Sequence, residues 1–239
     1  MTDLGQAIAM TRQVGEGRVG ALNIGYGTLT LLHPLFRAAV KAFHEHCPDV
    51  TLSLLEIPSH AQATALAEGR IHAGFKHFSK RQPDPEHKHI FGNVLAQDAT
   101  VQDYLTIQEE GLGLVIPAEH RLAGRKSVSL AELRDERWVV IPSSTVSPGY
   151  GPLFVLCQQA GFEPRVVQEV HSITTLLNLV SVGVGIGLSV TGKGFVFPPS
   201  LSVLKLEGVK YPSTFALCWV QGNMEPPLAR FVEIVKGLL

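Results

Sequence analysis

The sequence predicts an α/β fold of two lobes joined by a double crossover, with a cleft between them. Three observations lead there. The stretch from Leu52 to Phe75 reads as strand, helix, strand. Strands keep alternating with helices along the rest of the chain, with no internal repeat. A C-terminal strand and helix then return to the first group of elements.

Leu52, Leu54 and Ile57 alternate as in a strand that ends at Glu56–Pro58. Ser59 stands where a helix cap belongs, and Gln62 three residues on completes a capping-box pattern. The helix runs through Ala61, Ala63, Ala65, Leu66 and Ala67 and stops at Gly69. Ile71–Phe75 is a second short apolar run, so the unit predicts a parallel pair with a right-handed crossover. Its turn at Pro58–Ser59 presents a hydroxyl and a helix N-terminus beyond a strand's carboxyl end. Open α/β sheets bind ligands there, and a helix start favours anions.

Residues 1–17 show Leu4, Ala7, Ile8 and Thr11 at helical spacing, as the end of a longer helix or a terminal tail. Ala21–Ile24 is a short strand before the loop Gly25-Tyr26-Gly27-Thr28. From Thr30, Leu31, Leu32, Leu35, Phe36, Ala39, Val40 and Phe43 trace a helical face that tolerates Pro34 in its first turn. The polar stretch 78–100, with Pro83 and Pro85, reads as a surface excursion or hairpin. Tyr104–Ile107 and Leu112–Ile116 read as two strands around Gln108-Glu109-Glu110. One helical turn follows at Leu130–Leu133, and a strand at Trp138–Ile141 runs into the turn-rich segment from Pro142 to Tyr150. Then come a helix through Leu153, Leu156, Cys157 and Ala160 ending at Gly161, and a strand at Val166–Val170. Ser172 caps a helix with Leu176, Leu177 and Val180 inward, ending at Gly183. Strands follow at Ile186–Val190, Leu201–Leu204 and Thr214–Val220. Pro226–Pro227 opens a last helix with the face Leu228, Phe231, Val232 and Val235.

The 239 residues are 45% hydrophobic and 17% charged, with a formal net charge of −1, a composition that suits one large α/β domain or two small lobes. Lys and Arg are scattered, which argues against a nucleic-acid surface on this segment. Three widely spaced cysteines, Cys47, Cys157 and Cys218, point to free thiols in a reducing compartment. No apolar run reaches the length of a membrane span, and the N-terminus lacks the basic start and apolar core of a signal peptide. The expectation is a cytoplasmic protein with no membrane contact.

GRVGALNIGYG, LFRAAVKAFHEHCPDVTLSLLEIPSHAQATALAEGRIHAGF, EEGLGLVIPAEHRLA, VSLAEL, GFEP and LLNLVSVGVGIGLSV together resemble the effector-binding domain of LysR-type transcriptional regulators. The resemblance spans nearly all of residues 18–239. It is nearest to members that control catechol, benzoate or muconate breakdown. It implies a type-2 periplasmic-binding-protein-like fold of two Rossmann-like lobes, lobe I being 18–108 plus 193–239 and lobe II 109–192. It also implies a small inducer held between the lobes, and an N-terminal winged helix-turn-helix that this chain lacks, with 1–17 a remnant of the linker helix or a tail. Homodimers or tetramers are implied too, with DNA reached only through the missing domain. The sequence departs from the family at several points. The 78–100 excursion is long, His72 replaces a usual Asp, and Ser189-Val190 stands where Leu-Pro is common. His77 falls where aromatic-responsive members carry an Arg facing the inducer's carboxylate; an imidazole, with its ordinary pKa of ~6.5, holds an acid more weakly at neutral pH.

The candidate ligand contacts follow. Ser59 matches a serine or threonine that touches inducers in the family, and also serves as a plain helix cap. One of Thr28 and Thr30 contacts the ligand or caps the next helix, and His77 faces the inducer's acid group. Ser143, Ser144, Thr145 and Tyr150 would form the opposing rim, although turn chemistry alone explains such a cluster. Ser172 and Thr174 read as caps. His44 and Cys47 share a helical face but give two ligands where zinc requires three or four, so no metal is expected. Gly183-Val-Gly185-Ile-Gly187 lies between a helix end and a strand, the reverse of a phosphate fingerprint, and reads as packing glycine. No catalytic residues and no cofactor are expected, so the chain is not read as an enzyme. The leading reading is a sensing module for a small organic anion that relays binding to DNA and transcription. The alternative is a solute-binding protein of the same fold serving a transporter.

Overall fold

The structure, a computed structural model, describes residues 19–78, 102–142, 150–209 and 213–239, with the backbone alone at 150–152. The segments 1–18, 79–101, 143–149 and 210–212 lie outside it, and with them the expectations for the N-terminal tail and most of the 78–100 excursion.

Strand β1 (Val19–Tyr26) leads through a 3-10 turn at Thr28–Leu32 into helix α1 (Pro34–His46). Strand β2 (Asp49–Glu56), helix α2 (Ser59–Ala67) and strand β3 (Ala73–Phe78) follow. Beyond them lie β4 (Gln102–Pro117), β5 (Ser127–Val128), β6 (Arg137–Val140) and helix α3 (Tyr150–Gln159). Then come β7 (Arg165–Glu169), helix α4 (Ile173–Ser181), β8 (Gly187–Thr191) and β9 (Leu201–Leu206). Strand β10 (Ser213–Val220) and helix α5 (Pro226–Gly237) close the chain.

The chain divides into two compact units. The first is 1–77, 98–107 and 215–239; the second is 78–97 and 108–214. Strands β4 and β10 each begin in one unit and end in the other, the double crossover of a periplasmic-binding-protein-like fold. The stretch 193–214, drawn with the first lobe in the sequence reading, clusters with the second unit through β9.

In the first unit the strands run in the order β2, β1, β3, β10, β4. β1 is parallel to both β2 and β3, so the two strands of the β2–α2–β3 unit flank β1 instead of touching each other. Leu54 on the edge strand β2 is 41% exposed, so the alternation of Leu52, Leu54 and Ile57 does not bury all three. An aromatic cluster forms the core. Phe75 meets Phe36 edge-on at 5.2 Å and Phe231 at 6.1 Å, and Phe43 meets Phe231 at 5.4 Å. On α1 only Leu35, Phe36, Ala39 and Phe43 are buried, because the chain from Thr28 is a separate 3-10 turn and His33 caps a new helix with Pro34 at its first position.

In the second unit β4 pairs antiparallel with β8 and β9, and β9 pairs parallel with β5. β6 and β7 form a parallel pair, and Trp138 bridges to Ile186. The two strands expected around 108–110 are one: β4 runs unbroken, and the side-chain oxygens of this polar stretch are bonded sideways. Glu109 and Glu110 accept the hydroxyls of Thr214 (3.0 Å) and Ser213 (3.1 Å), and Gln108 Oε1 accepts Gly194 N–H at 2.9 Å. Gly185 and Gly187 are packing glycines, as expected. A Cβ would stand 2.6 Å from the Arg137 carbonyl oxygen at the first and 2.6 Å from a Leu176 methyl at the second. The three cysteines are buried, and burial pushes the Cys157 thiol up to about 12.

Ser172 caps α4 by accepting Thr175 N–H at 3.1 Å. Ser172→Ala is expected to cost about 1 kcal/mol in urea unfolding. At 3-10 turn Leu130–Leu133, Ser129 and Glu132 form a capping box, and a hydrogen bond from Arg125 foremost holds Glu132 down at about 2. A carboxyl depressed in the fold stabilises it above its ordinary pKa and loses that contribution as pH falls. Glu132→Gln is therefore expected to flatten the pH dependence of stability between about 4.5 and about 2, read by thermal melts across that range.

Candidate functional site

In the first unit β1 and β2 end side by side at Tyr26 and Glu56, while β3 runs on past Phe75, the residue opposite Tyr26, to Phe78. Tyr26 pairs with Glu56 on one side and with Phe75 on the other. Ile57 N–H donates to Tyr26 O at 2.9 Å, which extends the ladder one residue past β2. Thr28 and Ser59 lie two residues past Tyr26 and Ile57, and His77 lies two residues past Phe75, still within β3.

Ser59 does not cap α2. Pro58 occupies the cap position without a side-chain bond, and Ser59 is the first helical residue. Its hydroxyl is taken from outside the helix: Oγ accepts the His77 N–H at 3.1 Å. Gln62 does not close a capping box either. It is fully buried, and its Nε2 donates to Ile57 O at 2.8 Å and Phe75 O at 3.0 Å. The helix start thus keeps its dipole and the N–H groups of its first turn pointing past the strand ends. At the other end Gly69 takes φ +69°, and Arg70 N–H reaches back to Ala65 O at 2.9 Å, as the glycine stop predicts.

Thr28 and Thr30 differ in kind. Thr28 Oγ1 donates to Glu56 Oε1 at 3.0 Å on the exposed rim. Thr30 is fully buried, and its hydroxyl has no hydrogen-bond partner among the described residues. A β-carbon on Gly27 would lie 3.9 Å from Ser59 Oγ, so the β1 loop and the start of α2 are neighbours. The His77 ring stacks on Phe215 at 4.8 Å and 16°. Thr28, Ser59 and His77 therefore share one rim, and Thr30 is inside it. Ser143, Ser144 and Thr145 lie outside the described residues, and of Tyr150, which opens α3, only the backbone is described.

Sequence reasoning missed three neighbours of this rim. Glu56 puts a carboxylate beside the helix start. Lys76, 4% exposed, puts an ammonium one residue before His77 and donates to Gln102 Oε1 at 3.4 Å. Gln62 ties two of the strand ends together. The strand alternation could have flagged Glu56 and Lys76; Gln62 was hidden by the capping-box pattern it fits. His72, noted for replacing an Asp, accepts Asn23 N–H through Nδ1 at 2.9 Å and is a strand-edge contact, not a rim residue. Among the described residues no cluster of metal-ligating side chains occurs.

Residues 97–239 match the family model described as the LysR substrate binding domain. The HTH-type transcriptional regulator AlsR of Bacillus subtilis (strain 168) is 26% identical over 237 residues, covering 98% of this chain and 72% of that protein. Full-length CbnR, solved with its target DNA complex, superposes with a TM-score of 0.66 at 24% identity, covering 98% of this chain and 73% of that one. The BenM effector binding domain, solved with its effector benzoate, gives a TM-score of 0.64 at 23% identity over 92% of this chain and 91% of its own.

Ser59→Ala removes the acceptor of a half-buried N–H and is expected to cost about 1 kcal/mol, measured by urea unfolding.

Proposed function

The chain belongs to the LysR substrate-binding-domain family, and from that premise we propose that it senses a small carboxylate-bearing inducer, aromatic or muconate-like. It is the ligand-binding domain of a LysR-type transcriptional regulator; the nature of its inducer and the residues that hold it are the proposal. The observation that carries it is the shared rim at the ends of β1, β2 and β3, where a helix start, the Thr28 and Ser59 hydroxyls and the His77 backbone lie side by side. In this reading the carboxylate sits at the α2 start, taking N–H groups from its first turn and a bond from the Ser59 hydroxyl, whose proton is not engaged by His77. Benzoate, the effector of the BenM domain, has this chemistry.

The signal would reach DNA through an N-terminal winged helix-turn-helix and the geometry of a homodimer or tetramer. A ligand can drive that only by binding two arrangements of the protein unequally. A transporter-serving solute binder is not favoured, because the relatives are transcriptional regulators.

A thermal-shift screen of aromatic and aliphatic carboxylates tests the reading, with benzoate as first probe. A true inducer at a hundred times its Kd stabilises the fold by about 2.7 kcal/mol. Ser59→Ala is expected to weaken such a hit about tenfold, the loss of one charge-assisted hydrogen bond. Undiminished affinity in the variant would take Ser59 out of the site.

A further inference from the structure

We propose that Gln62 is the positioning residue of the rim: its buried amide ties the end of β2 to β3 at Phe75, so that Ser59 and His77 meet. The proposal builds on the reading of that rim as the ligand site, and its first test needs no ligand.

Both amide hydrogens of Gln62 are committed. Nε2 donates to Ile57 O at 2.8 Å and to Phe75 O at 3.0 Å, one carbonyl on each side of β1. Ile57 and Phe75 each stand two residues before a rim member, Ser59 and His77. Ile57 is held twice, since its own N–H is on Tyr26 O. One side chain thus holds a backbone carbonyl beside each edge of β1. The two bonds also fix which end of the amide is nitrogen, and Oε1 is left buried with no partner among the described residues.

The space for this amide is made by glycine. A Cβ on Gly74 would lie 2.1 Å from Gln62 Oε1 and 3.1 Å from Cδ. Because the amide is tied at its nitrogen, it is not a loose end that could swing aside. A methyl group at 74 must break the lock or displace the strand. Gln62 and Gly74 are thus two handles on one device, at opposite ends of a single contact.

The test compares Gln62→Leu and Gly74→Ala with Val235→Ala, a core truncation on α5 in the same unit. Hydrogen exchange of the His77 amide, whose acceptor is Ser59 Oγ, is read at a temperature where all three are folded. Gln62→Leu and Gly74→Ala are expected to speed that exchange at least tenfold, while Val235→Ala, although destabilising, leaves it within twofold. Equal His77 protection in Gln62→Leu and Val235→Ala would overturn the proposal. Should Gln62→Leu not fold, Gly74→Ala decides by the same criterion. Benzoate affinity by calorimetry is the second readout, expected to drop at least tenfold in both rim variants and to hold in Val235→Ala. If the unmutated protein binds no carboxylate, the reading of the rim as a ligand site fails, and the exchange result still decides the role of Gln62.

Discussion

The register of three parallel strands at Glu56, Tyr26 and Phe75 is the constraint on which the rest of this unit depends. β1 is sandwiched between β2 and β3, so its register fixes both neighbours: Tyr26 is opposite Glu56 and opposite Phe75. A parallel sheet alone would fray at these ends, where ladder bonds run out. Here the backbone bond from Ile57 to Tyr26 O and the bond from Gln62 to Ile57 O continue the fixation past the end of β2, and the second Gln62 bond ties it to Phe75 of β3. The aromatic cluster of Phe36, Phe75, Phe215 and Phe231 lies beneath, and burial on the order of 2 kcal/mol per ring anchors Phe75 and Phe215 where the rim begins. His77 continues that stack outward through its contact with Phe215.

The hydroxyl groups divide the work. Ser172 spends its side-chain oxygen on its own helix, accepting Thr175 N–H and sharing a bond with the Thr175 hydroxyl. Ser59 is one residue further into its helix than Ser172, and that single step changes its task. At the first helical position its oxygen cannot turn back onto the helix N–H groups, so it is open to a partner from another strand, and His77 provides it. Both serines stand at a helix start in the sequence, and the difference is set by Pro58, whose fixed φ makes it the entry residue of the helix.

Much of the fold was legible because its signals are periodic. The buried sets of α4 (Leu176, Leu177, Val180) and α5 (Leu228, Phe231, Val232, Val235) coincide with the spacing in the sequence. The left-handed glycines Gly69, Gly161 and Gly183 ended the helices they were expected to end. Reading failed where a side chain makes its bond across the sheet instead of along the chain. Gln108-Glu109-Glu110 separates two strands only if its polar groups face water; with Ser213, Thr214 and Gly194 as partners it is strand interior. Gln62 looks like a capping-box residue until Ile57 and Phe75 are seen to claim its amide. At the site, Ser59 and His77 were placed together by a family pattern and Thr28 was left level with Thr30. Burial separates those two, and burial of a hydroxyl is not written in local sequence.

The rim also sets what kind of guest the proposed site could hold, and magnitudes decide it. A helix start is worth about 0.3–1 kcal/mol to an anion at an exposed position. Glu56 works against it: two like charges 4 Å apart near a protein surface repel by roughly 1–4 kcal/mol, depending on the local dielectric. The dipole alone therefore does not make this a general anion site. A carboxylate gains there only if it sits on the α2 side of the rim and collects direct hydrogen bonds, each worth about 1.5–3 kcal/mol when one partner is charged. Thr28 matters for the same reason. Its hydroxyl already donates to Glu56, which satisfies one lone pair of that acid and holds the carboxylate at the β1 side of the rim. The selectivity of the proposed site thus comes from where Glu56 is held as much as from what α2 offers, and a guest with its acid group at one end and an uncharged body over Glu56 fits that field better than a small symmetric anion.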